Sequence, residues 1–176
     1  MKKYFVVLAA LCMMGTSVAQ AQMGKGSNLF NVGLGLGSGE DHVDGGFGLN
    51  ASFDHGLVDT WGPGLFTIGG FAGFHTYGKS EKILDVGIDW RYNIIALAFR
   101  ATYRYSLNES FEVYGALMTG LKIRYAKVDK NSASETDIFW GGPIAGCRYS
   151  FSPNMAVFAE LGYSLQYFNG GLSFAF

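Results

Sequence analysis

The chain has 176 residues, of which 49% are hydrophobic and 26 are glycine, and it carries a net charge of −1. That balance leaves no basic excess to hold nucleic acid. Past the N-terminal segment there is no run of about 18 apolar residues, which excludes membrane-spanning helices.

Residues 1–21 read as a secretory signal peptide. Lys2 and Lys3 precede an apolar run over 4–14, and Ala19-Gln20-Ala21 supplies a small-x-small cleavage site. The run is shorter than the about 20 residues a spanning helix needs. Cys12 does not make a lipoprotein signal, because Leu11 stands where a small residue is required. The mature domain is then 22–176, slightly acidic once Lys2 and Lys3 are gone, with Cys147 as its only cysteine. No intrachain disulfide forms, despite export. In lipid every backbone polar group must be satisfied internally, so an exported apolar chain without spanning helices points to the other solution, a closed antiparallel β-barrel.

Residues 22–27 form a short flexible lead. From Phe30 the pattern alternates with the period of two that marks a strand. Phe30, Val32, Leu34 and Leu36 fall on one face, Asn31, Gly33, Gly35 and Gly37 on the other. Residues 38–44 are a charged turn, and a second strand sets Phe47, Leu49, Ala51 and Phe53 against Gly48, Asn50, Ser52 and Asp54. Residues 56–63, ending in Trp61-Gly62-Pro63, read as a turn that is long for this pattern. The third strand alternates Phe66, Ile68, Gly70, Ala72 and Phe74 with Thr67, Gly69, Phe71, Gly73 and His75.

Residues 77–89 are polar enough to suggest a long loop, extending to about 92, although the run from Ile83 to Ile88 has some strand character. The fourth strand is the clearest: Ile95, Leu97, Phe99, Ala101, Tyr103 and Tyr105 alternate with Ala96, Ala98, Arg100, Thr102 and Arg104. A tight turn at Asn108-Glu109-Ser110 leads to a fifth strand, with Glu112, Tyr114, Ala116, Met118, Gly120, Lys122 and Arg124 on its polar face. Residues 129–137 form a second long polar loop. The sixth strand covers about 138–151, the seventh runs from Met155 to Tyr163, and a short connection near Ser164 and Leu165 leads to the last. Pro143 interrupts the sixth strand and predicts a β-bulge there, since a closed barrel has no edge to excuse a missing N–H.

Two sortings give these strands an inside and an outside. Aromatic residues cluster at the ends of one face: Phe53, Phe66, Tyr103, Tyr105, Phe111, Tyr149, Phe151, Phe174 and Phe176 at one end, Phe74, Tyr125, Phe139, Tyr163 and Phe168 at the other. That is the arrangement of two interfacial girdles around an apolar band. The strand charges occupy the opposite face: Asp54, Arg100, Arg104, Glu112, Lys122, Arg124, Arg148 and Glu160. A basic residue in the lipid midplane costs roughly 2–4 kcal/mol, so these eight belong to the lumen, where they predict a charge-paired filling. About eight strands put both termini on the periplasmic side, with the connections at 38–44, 77–92 and 129–137 outside.

The final strand ends on Phe168, Gly170, Leu172, Phe174 and Phe176, alternating with small or polar residues. It resembles the C-terminal insertion signal of bacterial outer-membrane barrels, carried here by Phe168, Leu172, Phe174 and Phe176. More widely, Tyr103-Arg104-Tyr105, the stretch 114–120, Trp140-Gly141-Gly142, Gly146-Cys147-Arg148-Tyr149 and the stretch 158–163 resemble the small eight-stranded outer-membrane proteins of Bacteroidetes, of the OmpX, OmpW and OmpA-barrel type. The resemblance covers the second half of the mature chain; the first half matches in pattern only. It implies the outer membrane of a Gram-negative bacterium, with lipid and lipopolysaccharide around the barrel and the barrel-assembly machinery as a transient partner. Activity does not follow from the fold.

No catalytic, cofactor or metal site is expected. Lipid A-modifying barrels that act as hydrolases need a His within reach of a Ser and an acid. Of His42, His55 and His75, only His55 has such neighbours, Ser52 and Asp54, and alternation puts it on the other face from them. His75 reads as a residue of the external rim. An eight-stranded barrel is just wide enough to be filled by its own side chains. The expectation is a monomer with a filled lumen and a structural or surface-interacting role, with a narrow pore, or less favourably a lipid A-modifying enzyme, as the alternatives.

Overall fold

Eight extended segments pair in chain order and close on themselves. The computed structural model describes residues 23–37, 46–60, 64–83, 86–128, 131–163 and 165–176. The strands are β1 (Asn28–Leu36), β2 (Phe47–Asp59), β3 (Gly64–Ile83), β4 (Val86–Ser106), β5 (Phe111–Val128), β6 (Asn131–Ser152), β7 (Met155–Gly162) and β8 (Phe168–Ala175). Each pairs antiparallel with the next, and β8 returns to β1 with Leu29 opposite Ala175 and Leu36 opposite Phe168. The charged turn at 38–44, Trp61-Gly62-Pro63 and the signal peptide lie outside the described residues.

Alternation decides which side chains meet the outside. Phe30, Val32, Leu34 and Leu36 are exposed along β1, while Leu29, Asn31, Gly33 and Gly35 are buried. The same parity holds from Leu97 to Tyr105 on β4 and from Val157 to Leu161 on β7. Phe53, Phe66, Tyr103, Tyr105, Tyr149, Phe151 and Phe176 are exposed at one end, Phe74, Tyr125, Tyr163 and Phe168 at the other. The side chains of Phe139 and Trp140 lie outside the described residues.

Four expectations change. β2 continues through a bulge between Gly56 and Val58 to Asp59, so the turn before Gly64 is shorter than 56–63. The loop expected over 77–92 is instead a paired hairpin, from Tyr77 opposite Tyr92 to Ile83 opposite Val86. The loop expected over 129–137 is likewise strand: β5 runs to Val128, opposite Asn131. Backbone pairing needs no apolar residue, and beyond the apolar band both faces of a hairpin are free to be polar. The alternation that reveals a half-buried strand therefore fades while the ladder continues. The lead at 22–27 is also ordered from Met23 on. Gly26 N–H donates to Gly56 O (2.8 Å), Gly56 N–H donates to Ser27 O (2.9 Å), and Met23 packs with Leu29, Leu65 and Ala175. Gly56 makes room, since a Cβ there would lie 2.4 Å from Gly24 O.

The expected bulge at Pro143 is present. Ala116 faces Ile144 and Met118 faces Gly141, so Gly142 and Pro143 together oppose Leu117. Pairing of β6 with β7 starts only at Ile144, opposite Gly162, so the proline stands just past that ladder, where a missing N–H is tolerated.

β3 to β6 are 18 to 22 residues long, against 8 or 9 for β1, β7 and β8. At the end away from the termini these four strands rise together as a wall on one side of the barrel. At the other end, tight connections join the strands. The Asn108 carboxamide Oδ1 accepts from the N–H groups of Ser110 (2.9 Å) and Phe111 (2.8 Å), a side-chain-closed turn typical of asparagine.

Candidate functional site

The lumen is packed in layers. Met23, Leu29, Leu65 and Ala175 close the end that carries the termini. A polar zone follows, then Phe71, Ala116, Met118 and Ile144, and at the far mouth Tyr77, Ile94, Ala96 and Leu165.

The polar zone is built by strands whose inward positions carry charge. Arg104 of β4 donates through one terminal nitrogen to Asp54 Oδ2 of β2 and through the other to Glu112 Oε1 of β5, each at 2.6 Å. Arg100, two inward positions before Arg104 on β4, donates to Glu160 Oε1 on β7 and stands 3.7 Å from Asp54 Oδ1. Its Nε donates to Thr102 Oγ1 at 3.2 Å. Glu160 also accepts from the Tyr114 hydroxyl at 2.9 Å and from Asn169 Nδ2 at 3.1 Å. Asn169 and Asn50 exchange carboxamide hydrogen bonds, and the Arg148 Nε donates to Ser173 Oγ at 3.0 Å. The Arg104 guanidinium lies 4.6 Å from the centroid of the Tyr114 ring, close enough for a cation–π contact.

β4 and β7 are not neighbours, so the Arg100–Glu160 pair reaches across the lumen. Arg100, Arg104 and Arg148 balance Asp54, Glu112 and Glu160, and every one of the six is at most 5% exposed. A buried charge is tolerated only when it is paired and hydrogen-bonded. This arrangement therefore holds opposite walls together with six buried charges that balance.

Of the eight charged residues singled out from the sequence, six converge here. Lys122 and Arg124 share the inward parity but lie further along β5, half-buried, with Lys122 opposite Asp137 in register and Arg124 Nη1 3.8 Å from Glu135. The neutral members Tyr114, Asn50, Asn169, Thr102 and Ser173 were not singled out, although the same parity places them inside. The insertion-signal residues Phe168, Leu172 and Phe176 are exposed on the outer face, with Phe174 half-buried.

The structure does not bring His55 together with Ser52 and Asp54. Its Nδ1 is 2.9 Å from Asn28 Oδ1, whereas Ser52 accepts from Asn31 inside the lumen and Asp54 holds Arg104. His75 is not a rim residue: it is fully buried, with its ring 5.8 Å from that of Tyr77. It shares the inward parity of Thr67, Phe71 and Gly73 on β3, opposite Gly48 of β2. His42 lies outside the described residues. Among the described residues no group of three or more His, Cys, Asp or Glu side chains is arranged to hold a metal.

A sequence model described as "Outer membrane protein beta-barrel domain" matches residues 6–174. No curated protein matches the chain in sequence at a significant level. Among solved structures, it is similar to Ail, the attachment invasion locus protein of Yersinia pestis, with 18% identity, 86% of this chain and 99% of that one covered, and a TM-score of 0.55. The N-terminal β-barrel domain of Pseudomonas aeruginosa OprF is 15% identical over 88% of this chain and all of that one, with a TM-score of 0.55. OprG of the same organism is 14% identical over 89% of this chain and 98% of its own, again with a TM-score of 0.55. At these identities the likeness is one of fold.

Proposed function

This chain belongs to the outer membrane protein beta-barrel domain family, and from that premise we propose that it is a sealed, monomeric barrel with a structural and surface-interacting role. The observation that carries this reading is the pairing of a filled lumen with a one-sided wall. Apolar layers at both mouths and a balanced ionic zone between them argue against a conduit for solutes. What the molecule then offers to its surroundings is the extension of β3 to β6 beyond the girdle. In this reading both termini are periplasmic, the wall is external, and lipid and lipopolysaccharide surround the apolar band. The barrel-assembly machinery is the partner during insertion. No catalytic group, cofactor or nucleic acid takes part. The resemblance of the second half to Bacteroidetes barrels supports an outer membrane of that group as its home.

Cutting the two hairpins back, so that Tyr77 connects to Tyr92 and Tyr125 to Ser134 through short turns, tests the reading in expressing cells. Attachment of the cells to protein-coated surfaces should fall while the amount of barrel in the outer membrane stays the same. Unchanged attachment would remove the wall from the account. Lipid A of unchanged mass in expressing cells is the matching expectation for a non-enzymatic barrel.

A further inference from the structure

Beyond the barrel mouth, β3 to β6 form an open sheet with two edges. β3 pairs with β2 only as far as Thr76, opposite Phe47, and Tyr77 to Ile83 pair with β4 alone. β6 takes up β7 at Ile144, opposite Gly162, and from Asn131 to Gly141 it pairs with β5 alone. The closed ladder ends where Tyr163 N–H donates to Pro143 O at 3.4 Å, and among the described residues no strand lies against β6 beyond that point. In an antiparallel ladder the backbone groups of a strand turn alternately to its two sides. Every second residue of this edge therefore directs its N–H and C=O away from β5.

The two edges differ in how they are defended. Exposed edges are usually blunted by shortness, by lysine or by proline. The β3 edge is the shorter and carries Lys79, Glu81 and Lys82. The β6 edge is longer, and no lysine or arginine occurs between Asn131 and Cys147. Its proline and bulge stand at its base, not along it. Glu135 and Asp137 lie opposite Arg124 and Lys122 of β5, on the face turned to the barrel axis. The Glu135 side chain is 67% exposed and 3.8 Å from Arg124. Thr136 and Ile138 occupy the other face, both exposed, and are β-branched residues that suit a strand. The edge is thus open backbone with acids on one face and β-branched side chains on the other.

That combination defines its occupant. An extended segment laid along the edge takes up the backbone groups, and its side chains alternate between the two faces. Those beside Glu135 and Asp137 are favoured as cations, since opposite charges across neighbouring strands attract. A second copy does not fit. Copies in one membrane share an orientation, so their β6 strands run the same way, and a two-fold axis between them would set N–H against N–H. We propose that the β6 edge between Asn131 and Gly141 adds a strand from a partner protein, an extended segment with lysine or arginine at every second position and β-branched residues between. The wall acts at the surface in this way, so the inference rests on the role proposed above.

The full chain, folded in detergent, is titrated into a short fluorescent peptide that alternates lysine with valine, and binding is read as anisotropy. This peptide should bind, and its glutamate–valine counterpart should not. Along an extended peptide the lysine N–H groups all point to one side and the valine N–H groups to the other. One version is therefore N-methylated at every lysine and another at every valine. Strand addition uses one side only, so one methylated peptide should lose binding and the other keep it. Glu135→Lys combined with Asp137→Lys should weaken the lysine peptide roughly tenfold and pass the preference to the glutamate peptide, with heat-modifiability unchanged. Equal behaviour of the two methylated peptides would overturn the proposal, as would an unchanged preference in the folded variant. So would failure of the unmethylated peptide to bind, or a chain that sediments as a dimer and excludes it. Attachment lost on cutting the hairpins, without peptide binding, would keep the surface role and remove the strand-adding edge; peptide binding with attachment unchanged would do the reverse.

Discussion

Phe176 and Asn28 exchange two backbone hydrogen bonds: Asn28 N–H donates to Phe176 O at 2.9 Å, and Phe176 N–H donates to Asn28 O at 3.0 Å. Phe176 is therefore a rung of the seam between β1 and β8 that closes the barrel. Its ring adds to the aromatic girdle at the end that carries the termini, 6.4 Å from that of Phe53. Deleting Phe176, or replacing it with Asp, should remove that rung or put a charge at the lipid interface, and so leave the chain in the periplasm as aggregate or fragments. Phe176→Trp should assemble. Fractionation with a heat-modifiability gel checks both, and normal outer-membrane yield from the deletion would count against the role assigned to this residue.

Arg104 holds Asp54 and Glu112 at once, and with Arg104 2% and Glu112 4% exposed, screening by water does not weaken the pair. Removing one member of a buried pair costs about 3–5 kcal/mol. Arg104→Ala should lower stability by about that much in a urea titration in detergent. Adding Glu112→Ala should recover part of the loss, because one orphaned carboxylate is gone. Asp54 keeps the recovery incomplete, its remaining cation being Arg100 at 3.7 Å. Strictly additive losses in this cycle would mean that the two residues do not interact.

Tyr114 has two separable roles, a hydroxyl bonded to Glu160 and a ring beneath Arg104. Tyr114→Phe keeps the ring and should cost about 1.5–3 kcal/mol, the range for a hydrogen bond to a charged group. Tyr114→Leu loses both and should cost more. Equal stabilities of the Phe and Leu variants would show that the ring contact contributes nothing.

Orientation is tested by tags. An epitope between Asp129 and Lys130, where β5 and β6 meet, should be labelled on intact cells. One between Asn108 and Glu109, in the asparagine-closed turn, should be protected until the outer membrane is broken. Labelling of both on intact cells would contradict periplasmic termini.

The strands that were legible in the sequence are those with one face in lipid and one in the lumen. On β1, β4 and the first part of β5, burial alternates as the residue types do, and the inward charges follow from parity alone. Where the wall rises beyond the apolar band, residues such as Ser80 and Glu81 or Ser132 and Glu135 carry no such contrast, and a paired hairpin reads as a loop. Met23, Leu165 and Gln166 were missed for another reason. Their burial comes from connections that fold back into the barrel, which no periodicity encodes. The trace they leave is on the receiving side, in inward glycines such as Gly35, Gly48 and Gly56, whose missing side chains only the packed barrel explains.

The central claim is that this barrel is filled and does not conduct. Reconstitution of the purified full-length chain in planar lipid bilayers measures this directly. The account predicts a current no greater than that of the protein-free bilayer. Reproducible conductance steps from the unmodified chain would contradict it.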